Sequence, residues 1–320
     1  MPERSTPAGT AAMTFSAEDL ASSADFFSAM RLYARDMTAM FSENPRLTSI
    51  FASQQRWLMA QAGLALYYGR DPADPASGLY AGRFVAQTLV HGIASRNTAT
   101  AFVQEMLAYR FVRPSDNPPD RRMRPLEPTE TTYQAVWKWL NAHLAILDGL
   151  DGGSRAERLA YGDPLFERIQ PRIAEAILQN HQVRNPGETF NLFTWANSGG
   201  VVMDHFISQI EAFDPALARI GIGVLSTSTI CQRYLISKTH LKRLINKAAG
   251  LQSLGIEERS GKNHLWLSQG FIREYWRYQA EKFAIIDHAF EQAVATGASA
   301  LATVERLTPP TAALSASTTL

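Results

Sequence analysis

Two stretches of this chain combine residue types and spacings suited to one chemistry, the binding of phosphates and base edges. In the first, Ser95-Arg-Asn-Thr-Ala-Thr-Ala-Phe-Val-Gln104, the residues Phe102, Val103, Met106 and Leu107 make a packed helical face. Arg96, Asn97, Thr98, Thr100 and Gln104 gather on the opposite face, with Ser95 at the N-cap. Short polar side chains at a helix N-terminus suit base edges, and the backbone N–H groups there attract anions. In the second, Leu241, Leu244, Ile245 and Ala248 oppose an exposed set of Lys238, Thr239, His240, Lys242 and Arg243, again behind a serine, Ser237. A charged turn follows each: Asp120-Arg-Arg-Met-Arg124 and Glu258-Arg-Ser-Gly-Lys262. Residues 91–126 hold six arginines against three acids, and residues 233–264 hold seven basic residues against two acids, although the whole chain carries only +1. Positive charge concentrated at two matching places is the footprint of a phosphate-binding surface.

Other chemistries find little support. The seven histidines form no His-x-x-x-His or His-Glu-x-x-His pattern, so no metal site is expected. Gly255 to Lys262 has glycines six apart and no following Ser/Thr, which does not make a phosphate loop. No Gly-x-Ser-x-Gly elbow occurs, and the single cysteine, Cys231, has only Gln232 and Arg233 beside it. Neither an enzyme nor a cofactor is expected. With one cysteine, no export-type leader in the first ten residues and no apolar run of membrane-spanning length, the expectation is a cytoplasmic protein away from membranes.

The elements that must carry these residues are predicted twice. Trp137-Lys-Trp-Leu-Asn-Ala-His-Leu-Ala-Ile-Leu-Asp148 returns 139 residues later as Trp276-Arg-Tyr-Gln-Ala-Glu-Lys-Phe-Ala-Ile-Ile-Asp287. Two copies are too few for a solenoid and imply two similar halves about a pseudo-twofold axis. In the first half the patterns predict helices over 17–42, 53–68, 79–90, 95–109 and 131–147. A proline-bearing ribbon is predicted over 111–129. Asp148 to Ser154 reads as the linker. The second half predicts helices over 164–180, 188–210, 214–224, 226–234 and 237–250, a shorter ribbon over 255–267, and a closing helix over 269–294. The expected domains are 16–150 and 151–300, with disordered tails at 1–15 and 301–320.

Two short helices followed by a two-stranded wing describe a winged helix-turn-helix, whose second helix fits the major groove. Asp120-Arg-Arg122, followed by Leu126 and Thr129 before the closing helix, resembles the wing signature of the MarR family of bacterial transcriptional regulators. In the second half, Leu267-Ser-Gln-Gly270 is similar to the family's Leu-Thr-x-x-Gly. The resemblance implies a mainly α fold, with two winged helix-turn-helix domains in tandem packed through long helices. It implies a single-chain pseudo-dimer that reads double-stranded DNA and regulates transcription, and that can self-associate further. Asp120 would hold one arginine, leaving Arg122 for the DNA backbone or minor groove, with Arg121, Arg124 and Lys262 adding phosphate contacts. The resemblance also implies a small aromatic ligand between the helical hub and the DNA-reading lobe, where Trp57, Tyr67, Tyr68, Trp137, Trp139, Trp195, Trp276 and Tyr278 gather. The trimmed second wing leaves a different reading open, a protein-interaction scaffold that kept the fold without binding DNA.

Overall fold

The computed structural model describes residues 14–116 and 122–307. They form a mainly helical molecule with two small antiparallel sheets. The first half runs α1 (Ala17–Ser22), α2 (Ala24–Glu43), α3 (Pro45–Thr48), α4 (Gln54–Tyr68), α5 (Ala81–Val90), α6 (Arg96–Ala108), β1 (Val112–Pro114), β2 (Leu126–Pro128) and α7 (Glu130–Asp151). The second runs α8 (Arg155–Arg158), α9 (Pro164–Gln179), α10 (His181–Arg184), α11 (Glu188–Thr194), α12 (Gly199–Ser208), β3 (Arg219–Val224), α13 (Thr227–Arg233), α14 (Lys238–Gly250), β4 (Leu254–Arg259), β5 (Lys262–Ser268) and α15 (Gln269–Leu307).

Helix packing follows a rule that applies twice. α1 lies on α15, and α8 lies on α7. α2 packs along α12, and α9 along α4. α2 also touches α7, as α9 touches α15. Each half thus lays its first helices on the other half's later ones. The apolar stripe predicted for α2 shows why: Phe26, Met30 and Tyr33 are buried, and both Phe26 and Tyr33 meet Phe283 of α15 edge-on at 5.7 and 5.4 Å. Burial of this size is the main favourable term in folding, and here neither half completes it alone.

The repeated aspartates, Asp148 and Asp287, converge on one buried residue, Arg155. Its Nη1 lies 3.2 Å from Asp148, its Nη2 2.8 Å from Asp151, and its Nε 2.8 Å from Asp287. Asp148 also accepts the Arg155 backbone N–H at 2.9 Å, and Asp287 accepts that of Phe15 at 2.8 Å. Burial pushes the Asp287 carboxyl above its usual range although Phe15 and Arg155 pull it down, whereas the Arg155 hydrogen bond dominates at Asp151 and lowers it.

Several expectations are corrected. The predicted helix over 214–224 is strand β3, because Ile220, Ile222 and Val224 alternate with Gly221 and Gly223, a period of two that pairs with β5. The long helix over 188–210 is broken between α11 and α12, where Ser198 takes a left-handed φ of 58°. A break after α1 likewise divides the helix expected over 17–42, with Ser23 capping α2 through the Phe26 N–H. The linker is shorter than expected, since α7 continues to Asp151 and Gly152 caps it with φ 73°. Two stretches expected in the tails are ordered: Phe15 is tied to Asp287, and α15 continues to Leu307, whereas the rest of the expected tails, 1–13 and 308–320, lies outside the described residues. Finally, among the described residues the second ribbon is the longer one, with six β4–β5 pairs against three between β1 and β2. Prolines at 114, 125 and 128 limit the first. The second closes on Ser260 and Gly261, both at positive φ, which is the hairpin turn that matches strand twist.

Candidate functional site

α6 and α14 carry the two predicted residue sets in matching frames. Ala99, Phe102, Val103 and Met106 are the buried residues of α6; 142 positions on, Leu241, Leu244, Ile245 and Ala248 are those of α14. Both helices are capped alike: Ser95 Oγ accepts the Thr98 N–H at 3.3 Å, and Ser237 Oγ accepts that of His240 at 3.2 Å. Both end alike, at Arg110 (φ 58°) and Gln252 (φ 55°). The next N–H returns to the helix, from Phe111 to Met106 O and from Ser253 to Ala248 O, each at 2.9 Å. The ribbons are then closed at the base by Thr129 N–H to Phe111 O (3.0 Å) and Ser268 N–H to Ser253 O (2.8 Å).

The preceding helices hold these frames in place. Arg56 of α4 pairs with Glu105 of α6 at 2.8 Å and lies over the Phe102 ring, while Gln55 donates to Ile93 O in the turn between α5 and α6. In the second half the three-stranded sheet, ordered β3-β5-β4, does this work. Trp266 of β5 is flanked by Gly221 and Gly255 and carries the Arg219 guanidinium on its face at 4.2 Å. The first half reduces that third strand to one hydrogen bond, from Leu126 N–H to Leu79 O.

Most residues expected at the surface are there. Ser95, Arg96, Asn97, Thr98, Thr100 and Gln104 are exposed, as are Lys238, Thr239, Lys242, Arg243 and Lys262. Thr100 spends its hydroxyl on Arg96 O, and Ser95 shares its own with Thr98. His240 is corrected from exposed to half-buried, because it sits on the boundary of the packed face; burial and Arg243 lower its pKa. Asp120 and Arg121 lie outside the described residues. Arg122 and Arg124 are exposed at the edge of the first ribbon. Within that ribbon Arg113 is neutralised by Asp116 and Glu127 at 2.8 and 2.7 Å. Charge therefore divides unequally. α14 exposes Lys238, Lys242, Arg243 and Lys247 and contains no acid, whereas α6 has Arg96 against Glu105.

No family model, curated protein or solved structure matches this chain.

A second feature lies behind α6. A cavity of about 580 Å³ extends between α2, α4, α7 and the α6–ribbon unit. Of the expected aromatics, Trp57, Trp139 and Tyr278 line it; Tyr67, Tyr68, Trp137, Trp195 and Trp276 do not. At its inner end Lys282 is buried and donates to Tyr33 Oη at 2.7 Å, and Tyr275 donates to Asp204 at 2.8 Å. Burial drives the Lys282 amine down to about 7, with Asp204 pulling the other way. Burial likewise drives Asp204 up to about 6, against Tyr275 and Lys282. Residue types alone did not mark this cluster, since its members come from α2, α12 and α15. Among the described residues no group of three or more His, Cys, Asp or Glu could hold a metal ion, and no helix is long and apolar enough to cross a membrane.

Proposed function

We propose that the chain is a sequence-specific DNA-binding transcriptional regulator of the MarR-like, tandem winged helix-turn-helix kind, acting as a single-chain pseudo-dimer. The observation that carries this reading is the matched burial of α6 and α14, four positions for four. It turns an N-terminal polar face outward on each helix, ahead of an antiparallel ribbon. That is the arrangement in which a helix enters a major groove while a wing reaches the backbone. The reciprocal packing of the two halves supports the pseudo-dimer. The cavity behind α6 supports a small aromatic ligand whose binding would be felt at that helix.

In this reading α14, with Lys238, Thr239, Lys242 and Arg243, supplies most of the phosphate contact. Arg96, Asn97 and Gln104 on α6 read bases with less electrostatic help, and Arg122, Arg124 and Lys262 contact the backbone from the wings. Selection from random DNA should return an imperfect palindrome with half-sites about one helical turn apart. Affinity for that site should fall by roughly two to three orders of magnitude between about 50 and 200 mM salt, as expected for about five neutralised phosphates. Replacing Lys238 and Lys242 by Ala should weaken binding on all sequences and reduce the salt slope by about two. Parent-like affinity and slope in that variant would exclude α14 from the interface. The near-neutral face of α6 favours the alternative, a protein-interaction scaffold, and failure to enrich any sequence would support it.

A further inference from the structure

The tryptophans that head the two repeats have different surroundings. Trp137 donates its indole N–H to Leu159 O at 3.2 Å, and Tyr161 packs edge-on against it with ring centres 5.3 Å apart. Both partners come from the segment between α8 and α9. The corresponding connection between α1 and α2 is the single residue Ser23, which has no ring and whose carbonyl accepts the Phe27 N–H at 3.3 Å. At Trp276 a hollow of about 610 Å³ remains between α2, the loop before β3 and α15, and the indole Nε1 there is buried with no hydrogen-bond partner.

The lining of this hollow is specific. Phe27 and Phe213 stand against Trp276 with ring centres 5.1 and 5.8 Å away. Arg31, Arg273 and Arg277 also line it, no carboxylate does, and none of the three arginines has an ion-pair partner among the described residues. Arg31 Nε is buried and unpartnered as well. The first half shows no such concentration. There the counterpart of Arg273 is Gln134, and that of Arg277 is Lys138, which Glu43 neutralises at 3.1 Å. Unpaired guanidiniums beside a desolvated donor and flat apolar walls call for a planar molecule carrying negative charge.

We propose that this hollow is a binding site for a small aromatic carboxylate. The ligand's ring lies against Phe27, Phe213 and Trp276, and its carboxylate meets the arginines and the Trp276 indole N–H. The site is separate from the cavity behind α6 and does not depend on the DNA-reading proposal. The test is calorimetric titration of the full chain with 2-naphthoate, with circular dichroism to confirm that each variant is folded. One saturable site is expected, at least tenfold weaker in the double variant Arg273→Gln/Arg277→Gln, whose two residues are exposed and outside the core. Neutral 2-naphthamide should bind at least tenfold more weakly than naphthoate. Acetate and inorganic phosphate should compete poorly, and Trp276→Phe should weaken binding by loss of the N–H. Lys282→Met should bind as the parent does. Undiminished binding in the arginine variant, equal binding of the amide, equal competition by acetate or phosphate, or loss of binding in Lys282→Met would each overturn the assignment.

Discussion

Lys282 faces its buried surroundings with one hydroxyl, that of Tyr33, and the rings of Tyr33, Tyr278 and Phe283 at 4.6, 5.5 and 5.9 Å. Such a site can hold an ammonium ion through aromatic faces, but it cannot replace the water that the ion gave up. The lowered Lys282 pKa has a definite sign in stability. Between about 7 and the ordinary lysine value the unfolded chain binds this proton and the folded chain does not, so this contribution to stability rises with pH across that window. The stability of the parent relative to that of Lys282→Met should therefore rise from pH 7 toward about pH 9.5, by at most about 1.4 kcal/mol per pH unit. Denaturant titrations at several pH values measure it. A difference that stays constant with pH would mean that Lys282 keeps its proton throughout. The lysine can be read in the sequence only as a break in an apolar helix face. Its partner Tyr33 lies 249 residues away, a separation that no local pattern encodes.

At the scale of elements, the short helices were the most legible part of the chain. Ser95 and Ser237 announce themselves as caps, and the spacing of Phe102, Val103 and Met106, or of Leu244, Ile245 and Ala248, fixes which face packs. β3 was harder, because an alternation of isoleucine and glycine only reads as a strand once its partner β5 is known. Asp120 and Arg121 carried the resemblance, yet the described residues place the longer hairpin and the denser basic helix in the other half. That hairpin depends on Gly255: a Cβ there would lie 2.3 Å from the Trp266 ring. Gly255→Ala should push Trp266 away from Arg219 and cost about 1–3 kcal/mol, read from urea unfolding. A cost within about 0.5 kcal/mol, the range of an ordinary surface change, would show that the ring turns aside freely. By either outcome the experiment reports how rigidly α14 is backed by its sheet.

For the whole molecule, the reciprocal packing sets what can fold alone. α4 rests on α9 and α2 on α12, so cutting the chain after Asp151 exposes both apolar faces in each piece. Neither residues 1–151 nor residues 152–320 should be a folded monomer. Each should be unfolded or self-associated by circular dichroism and size-exclusion chromatography, and mixing the two should restore one complex of the parent's size. A stable monomer from either piece would contradict the packing scheme. The duplication itself was legible from twelve residues, because tryptophan, alanine, isoleucine and aspartate recur in one register. The crossing of helices between the halves was not, since amphipathic helices carry no label for their partner.

The junction at Arg155 bears on how such a chain can change. Arg155 and Phe15 hold corresponding places, since each offers its backbone N–H to one of the repeated aspartates, and the guanidinium of one lies 6.0 Å from the ring of the other. In an assembly of two identical subunits, one residue would have to face its own copy there. Two arginines would crowd like charges, and two phenylalanines would leave the aspartates without a cation. A single chain is free of that self-complementarity, so one position can be the cation and the other its cover. Once the two roles have separated, neither half can be exchanged for a second copy of the other.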